Sequence, residues 1–253
     1  MRIPLFHLTL GALAACTFVA AAARAQTTAR VDTSLDLYAA PGQLVDIGGG
    51  RHLNLRCSGS GLPTVLLDGG QGSTSMSWRK LQPLLASSHR VCSYDRAGLG
   101  FSETGPLPRT AQAEANDLHA LVHTAKLQTP LILVGHSLGS YIARLYAAAH
   151  PRDVAGLVLV DPVSETLAQD APAFAEAEAK MSAQNTDYGR KCEQAARAGD
   201  LAKATPAAEA CVPPAFPGLS QRLSDSIRQR YRSTQYWERR CPNAMPMRRT
   251  SRQ

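Results

Sequence analysis

From residue 131 the chain passes from a short apolar run, Leu131 to Val134, through Gly135-His136-Ser137-Leu138-Gly139 into a segment of helical spacing that ends near His150. No other feature constrains the fold as much as this order of strand, glycine-flanked serine and helix. A turn this tight puts the serine in a strained backbone conformation, and small residues on both sides keep strand and helix from colliding. The serine oxygen is then lifted to the helix N-terminus, at the carboxyl edge of a sheet. A GxSxG pentapeptide alone is a weak pattern, but in this setting it is a specific one. The plain structural alternative is a helix opened by a capping serine.

The flanking sequence repeats the rhythm. Residues 43–47 and 52–57 read as two short strands around Gly48-Gly49-Gly50, a hairpin signal. Residues 63–68 form a buried strand ending in Gly69-Gly70, and residues 78–85 carry apolar side chains at helical spacing. Residues 90–94 read as a strand, 110–126 as an amphipathic helix and 154–160 as a strand closed by Asp161-Pro162. Near-continuous apolar strands alternating with helices predict an α/β fold, a mostly parallel sheet with helices on both faces. At 44% hydrophobic and 19% charged residues the chain is not of disordered composition. From residue 163 helix formers dominate, predicting a helical cap to about residue 237. It has a Pro-rich break at residues 211–214, then one helix over 219–237. No strand-like run follows Trp237, so the closing strands of the sheet are expected to be missing.

Asp68-Gly69-Gly70-Gln71-Gly72 directly follows a strand. Acyl transfer passes through an oxyanion that needs preplaced donors, and a backbone N–H in such a loop can pair with the one that follows the serine. A plain strand-to-helix turn is the rival reading.

Four segments in this order, LLDGGQGSTSMSW, YDRAGLGFS, LVGHSLGSYIARLYA and GLVLVDP, resemble the α/β-hydrolase superfamily, in its esterase and peptidase-like branch. The resemblance is good over residues 43–165 and loose over the cap. It implies that Ser137 is the nucleophile and that the N–H groups of Gly70 and Leu138 form the oxyanion hole. It also makes Asp161, which ends the strand after the serine, a candidate catalytic acid, with a structural turn residue as the alternative. The YDRAGLGFS stretch would be a structural loop in which Asp95 and Arg96 form an internal ion pair. No cofactor or metal is implied, and the partner is a small acyl substrate. Epoxide and haloalkane chemistry on the same scaffold normally uses an Asp nucleophile, which Ser137 disfavours.

A serine nucleophile needs a base, and the family order is Ser, Asp or Glu, then His. The seven histidines are His7, His52, His89, His119, His123, His136 and His150, none after residue 150. His136 is expected to point away from the pocket. His119 and His123 stand four apart on a helix, like a metal pair, but the sequence offers no third ligand, so they read as a solvated helix face. His52 and His89 begin strands, at the wrong end of the sheet. The chain is therefore expected to be catalytically impaired. The alternatives are a non-catalytic binder of acyl ligands or a gene fragment that does not fold.

The ends carry their own signals. From Arg222 onward nine arginines face only Asp225 and Glu238, which accounts for the whole formal charge of +7. Residues 238–253 crowd Arg, Pro and Met without periodicity, as in a frameshifted tail. No motif accompanies these arginines, so nucleic-acid binding is not expected. Residues 1–25 read as an export signal with an Ala-Arg-Ala cleavage site, placing the protein in the periplasm or outside the cell. Leu13-Ala14-Ala15-Cys16 offers a lipoprotein alternative. No run is long enough for a stable membrane span. Among the remaining cysteines, Cys57 and Cys92 could bridge if their strands are neighbours. Cys192 and Cys211 could close a local loop, leaving Cys241 over. Oligomeric state is not readable.

Overall fold

The computed structural model describes residues 31–162, 164 and 166–240. Residues 1–25, read above as an export signal, together with Cys16, Cys241 and the part of the basic tail beyond residue 240, lie outside the described residues. Six strands form one sheet: β1 (Gln43–Asp46), β2 (His52–Ser58), β3 (Val65–Asp68), β4 (Val91–Tyr94), β5 (Leu131–His136) and β6 (Val154–Val160). Their spatial order is β1-β2-β4-β3-β5-β6. The β4–β3, β3–β5 and β5–β6 pairs are parallel, while β1–β2 and β2–β4 are antiparallel. This is the mostly parallel sheet the sequence pattern implies.

Alternation along each strand feeds two cores. Leu66, Cys92, Tyr94, Leu131 and Leu133 face α2 (Ala111–Thr124) and α3 (Leu138–Ala149), where Leu118, Leu121, Ile142 and Tyr146 are buried. Val65, Leu67, Val91 and Val134 face the other way, onto Trp78 and Leu85. Trp78 and Leu85 do not share one helix, as their spacing suggests. A 3-10 turn, Ser75–Trp78, precedes a short α1, Leu81–Leu85. β3 and β4 are buried along their whole length, as strands covered on both faces must be. β6 differs. It is the outer strand among the described residues, and its apolar Leu157, Val158, Leu159 and Val160 are exposed.

β2 and β4 pair with Cys57 directly opposite Cys92, and the two form a disulfide. A second disulfide joins Cys192 to Cys211. It lies in the helical region that follows β6: α4 (Leu167–Asp170), α5 (Pro172–Arg197), α6 (Pro206–Cys211), α7 (Gln221–Tyr231) and α8 (Thr234–Arg240). Residues 219–237 therefore make two helices rather than one. Ser233 breaks them by accepting from the Tyr236 N–H and donating to the Arg230 carbonyl. The break lets Trp237 turn inward, fully buried against Cys192, Leu201 and Val212, with its indole N–H on the Tyr231 carbonyl at 2.7 Å. This region is tied to the rest by Ser226 Oγ on the Ala39 carbonyl (2.9 Å) and by Gln235 Nε2 on the Ser102 carbonyl (2.8 Å).

Candidate active site

Ser137 joins β5 to α3 with φ 51° and ψ −119°. For a residue with a Cβ this is a sparsely populated region that costs on the order of 1–3 kcal/mol, and it persists only where the surroundings impose it. The flanking glycines show how they do. A Cβ on Gly135 would stand 2.5 Å from the Gly139 carbonyl oxygen, and one on Gly139 would stand 2.4 Å from that of Asp68. Helix and strands meet backbone to backbone there. The Ser137 N–H is held by the Val160 carbonyl at 3.0 Å, and its carbonyl accepts from Ser140 N at 2.9 Å.

Gly70 faces this turn. A Cβ on it would lie 3.0 Å from the His136 ring and 3.4 Å from Ser137 Cβ. The loop that carries it is fixed from behind by Arg96, whose guanidinium donates to the carbonyls of Gly69 and Gly70, each at 2.5 Å. Across a trans peptide the N–H points opposite to the C=O. Turning the Gly69 carbonyl onto Arg96 therefore turns the Gly70 N–H away from it. Leu138 opens α3 immediately after Ser137, at the helix N-terminus, where N–H groups have no intrahelical partner.

Arg96 is the residue that sequence reasoning misassigned. Its ion-pair partner is Asp68, at 2.5 Å with both side chains buried, and not Asp95. Asp95 instead gathers the N–H groups of Ser75 and Phe101 and the side-chain amide of Asn54. The pairing follows from the sheet: β3 and β4 are parallel neighbours, so Asp68, which ends β3, meets Arg96, two residues past β4. Tyr94 Oη donates to the second oxygen of Asp68 at 2.9 Å. Burial pushes the Asp68 carboxyl up, opposed by Arg96 and the Tyr94 hydroxyl. Desolvation would lower Arg96, but Asp68, Tyr94 and Glu114 outweigh it and hold the guanidinium above its usual value. Three oxygens converging on one guanidinium decide for the charged pair.

Asp161 follows β6 as Ser137 follows β5. His136 and Val160 are register partners, so the two residues leave the carboxyl edge side by side. Asp161 also has a positive φ, 47°, and is exposed. Among the described residues the histidines do not converge on Ser137. The His136 ring packs on Gly70 rather than pointing clear of the loop. His52 pairs with Glu103, and His119, His123 and His150 cluster at the far end of α2 and α3. A cavity of about 310 Å³ beside the loop after β4 is lined by Phe101, Arg230, Gln235 and Tyr236, not by Ser137.

Known proteins resemble this chain in sequence and fold. The chain is 33% identical over 111 residues to an uncharacterised protein of Bacillus subtilis (strain 168), covering 44% of each chain. It is 36% identical over 148 residues to the 2-hydroxymuconate semialdehyde hydrolase of Pseudomonas sp. (strain CF600), covering 51% of this chain and 50% of that one. The chain thus spans about half the length of these curated relatives. A candidate epoxide hydrolase from Pseudomonas aeruginosa superposes with a TM-score of 0.55 at 21% identity, over 79% of this chain and 67% of that one, a likeness of fold alone. Residues 63–247 match the family described by the alpha/beta hydrolase fold. With the strained serine turn, the sheet order and that match together, the chain belongs to the α/β-hydrolase family.

Proposed function

We propose that this protein is a serine hydrolase of carboxylic esters or related small acyl compounds, with Ser137 as nucleophile. The observation that carries the reading is the backbone of Ser137, φ 51° and ψ −119°, held opposite Gly70. In the proposed reaction Ser137 Oγ bonds to the acyl carbon and the carbon–oxygen bond to the alcohol breaks. The serine proton leaves with the alcohol. The N–H groups of Gly70 and Leu138 receive the transient oxyanion. Water then adds to the acyl-enzyme, releasing the acid and restoring the hydroxyl. Asp161 is the carboxylate nearest in the sheet register to Ser137 and is assigned as the acid of the site.

The base is the weak component. Among the described residues no histidine hydrogen-bonds to Ser137, so turnover is proposed to be slow, carried by the oxyanion donors and by binding. Hydrolysis in a full triad enzyme stripped of a member still exceeds the uncatalysed rate by about 10³–10⁴-fold. Two disulfides support the export reading, since such bonds persist in oxidising compartments. The test is hydrolysis of p-nitrophenyl butyrate by the purified chain and by Ser137→Ala. A rate above buffer that the substitution removes supports the proposal. An equal rate in both proteins refutes it. Binding of the ester without turnover would favour the acyl-ligand binder, for which the favouring observation is that no histidine among the described residues hydrogen-bonds to Ser137.

A further inference from the structure

The α2 histidines that lack a third ligand in the sequence gain one in the fold. His119 and His123 stand one turn apart on α2, and Asp153 closes the 3-10 turn Pro151–Asp153 that follows α3. His123 Nε2 lies 3.2 Å and His119 Nδ1 3.9 Å from Asp153 Oδ2, and one ligand atom from each residue falls within 4.8 Å of the others. Tetrahedral zinc with bonds of about 2.0–2.1 Å sets its ligands roughly 3.4 Å apart. Small side-chain rotations close the difference.

We propose that His119, His123 and Asp153 form a binding site for a divalent transition cation of the zinc class. Three further observations support it. The Nδ1 of His119 is buried and has no hydrogen-bond partner, so the site as it stands leaves a ligand atom unused. Tyr146 Oη donates to Asp153 Oδ2 at 3.0 Å, the kind of outer contact that orients a metal-binding carboxylate. The His150 ring stacks on His119 at 3.7 Å and an 8° interplanar angle, which fixes the plane of the ligand ring. The three residues line a shallow hollow of about 320 Å³, open to solvent, which provides an entry path and room for water in the fourth position.

Two imidazoles and one carboxylate suit zinc, cobalt(II), nickel or copper(II) better than magnesium or calcium, which take oxygen ligands. The site lies at the opposite end of α3 from Ser137. Twelve residues at about 1.5 Å each put it some 18 Å away. The cation is therefore a staple between α2 and the α3–β6 connection, and the site stands or falls independently of the hydrolase reading.

The test uses the full chain without a histidine tag, stripped of metal with a chelator. Titration with zinc chloride, followed by calorimetry, is expected to show one site per chain. At about a hundredfold excess over Kd the melting temperature should rise by on the order of 5 °C, and EDTA should reverse the rise. His123→Ala removes an exposed ligand, and Asp153→Asn can keep the contact with Tyr146. Each should weaken binding tenfold or more, while His52→Ala, on another face, leaves it unchanged. No heat and no thermal shift up to millimolar zinc would overturn the proposal. So would equal affinity in the parent, His123→Ala and Asp153→Asn.

Discussion

Ser137 and Asp161 leave adjacent parallel strands at the same edge of the sheet, and both do so with a positive φ, 51° and 47°. The Val160 carbonyl, one residue before Asp161, accepts the Ser137 N–H. The sheet thus couples the placement of the serine to the end of β6. A change at that strand end should reach the serine through backbone alone. Asp161→Gly relieves the positive φ and removes the carboxylate, whereas Asp161→Asn tolerates the φ and removes only the charge. If Asp161 acts as the acid of the site, both lower ester hydrolysis to a similar extent, about tenfold or more. If it serves only as a turn residue, Asp161→Asn keeps the parent rate.

Arg96 organises the loop that faces the serine, and its removal leaves Asp68 buried without its cation. Breaking a buried pair from one side costs about 3–5 kcal/mol. Arg96→Met is therefore expected to lower unfolding free energy by that order in urea titrations. Arg96→Lys keeps the charge but cannot span Asp68 and two carbonyls in one plane, so a smaller loss is expected.

Two of the glycines near the serine, Gly139 and Gly70, should separate stability from activity. A Cβ at Gly139 meets backbone oxygens of Asp68 and Gly69 at 2.4 and 2.8 Å. Gly139→Ala must displace the loop, and a loss of about 1–3 kcal/mol is expected by analogy with overpacking. At Gly70 the nearest atoms belong to side chains, the His136 ring and Ser137 Cβ. Gly70→Ala should melt near the parent temperature yet hydrolyse ester more slowly. Circular dichroism melts and initial rates on the same samples check both.

Tyr94 gives an alkaline limb. Burial, with Asp68 beside it, raises its hydroxyl well above the ordinary value near 10. In the unfolded chain Tyr94 loses its proton near pH 10, while the folded chain keeps it. Stability from this group is thus complete below pH 10 and falls as pH rises beyond it. Tyr38, raised by its own burial, adds to the same limb. Tyr94→Phe should flatten the decline in melting temperature between pH 10 and 11. It should also lower stability at neutral pH by roughly 1 kcal/mol for the lost hydrogen bond to Asp68.

The Cys192–Cys211 disulfide spans 19 residues. Loop-closure entropy gives it about 3 kcal/mol of stabilisation. Replacing both cysteines by serine should open the packing around Trp237 first, since Cys192 and Cys211 line that cluster. A red shift of tryptophan emission and faster proteolysis between α5 and α7 are the expected readouts.

The turn at Ser137, the sheet class and the position of the glycine-rich loop after β3 were legible because each is local. Apolar strands, a tight turn and a helix opening occupy a few consecutive residues, and their order sets the local fold. What escaped the sequence was set by contacts between distant segments. The resemblance implied Asp95 as the partner of Arg96, yet parallel pairing of β3 with β4 brings in Asp68, 28 residues away. Asp153 joins His123 from 30 residues away, across the α2–α3 interface. Ser233 split a helix that apolar periodicity runs straight through, because a side-chain cap competes with the next turn.

The central proposal is that Ser137 is the nucleophile of the site, and prolonged incubation with a fluorophosphonate probe tests it most directly. Incubation of the purified chain with the probe, followed by peptide mapping, should place one adduct on Ser137, and Ser137→Ala should give none. An unmodified Ser137 in the folded chain, or equal labelling of the parent and Ser137→Ala, would contradict the claim.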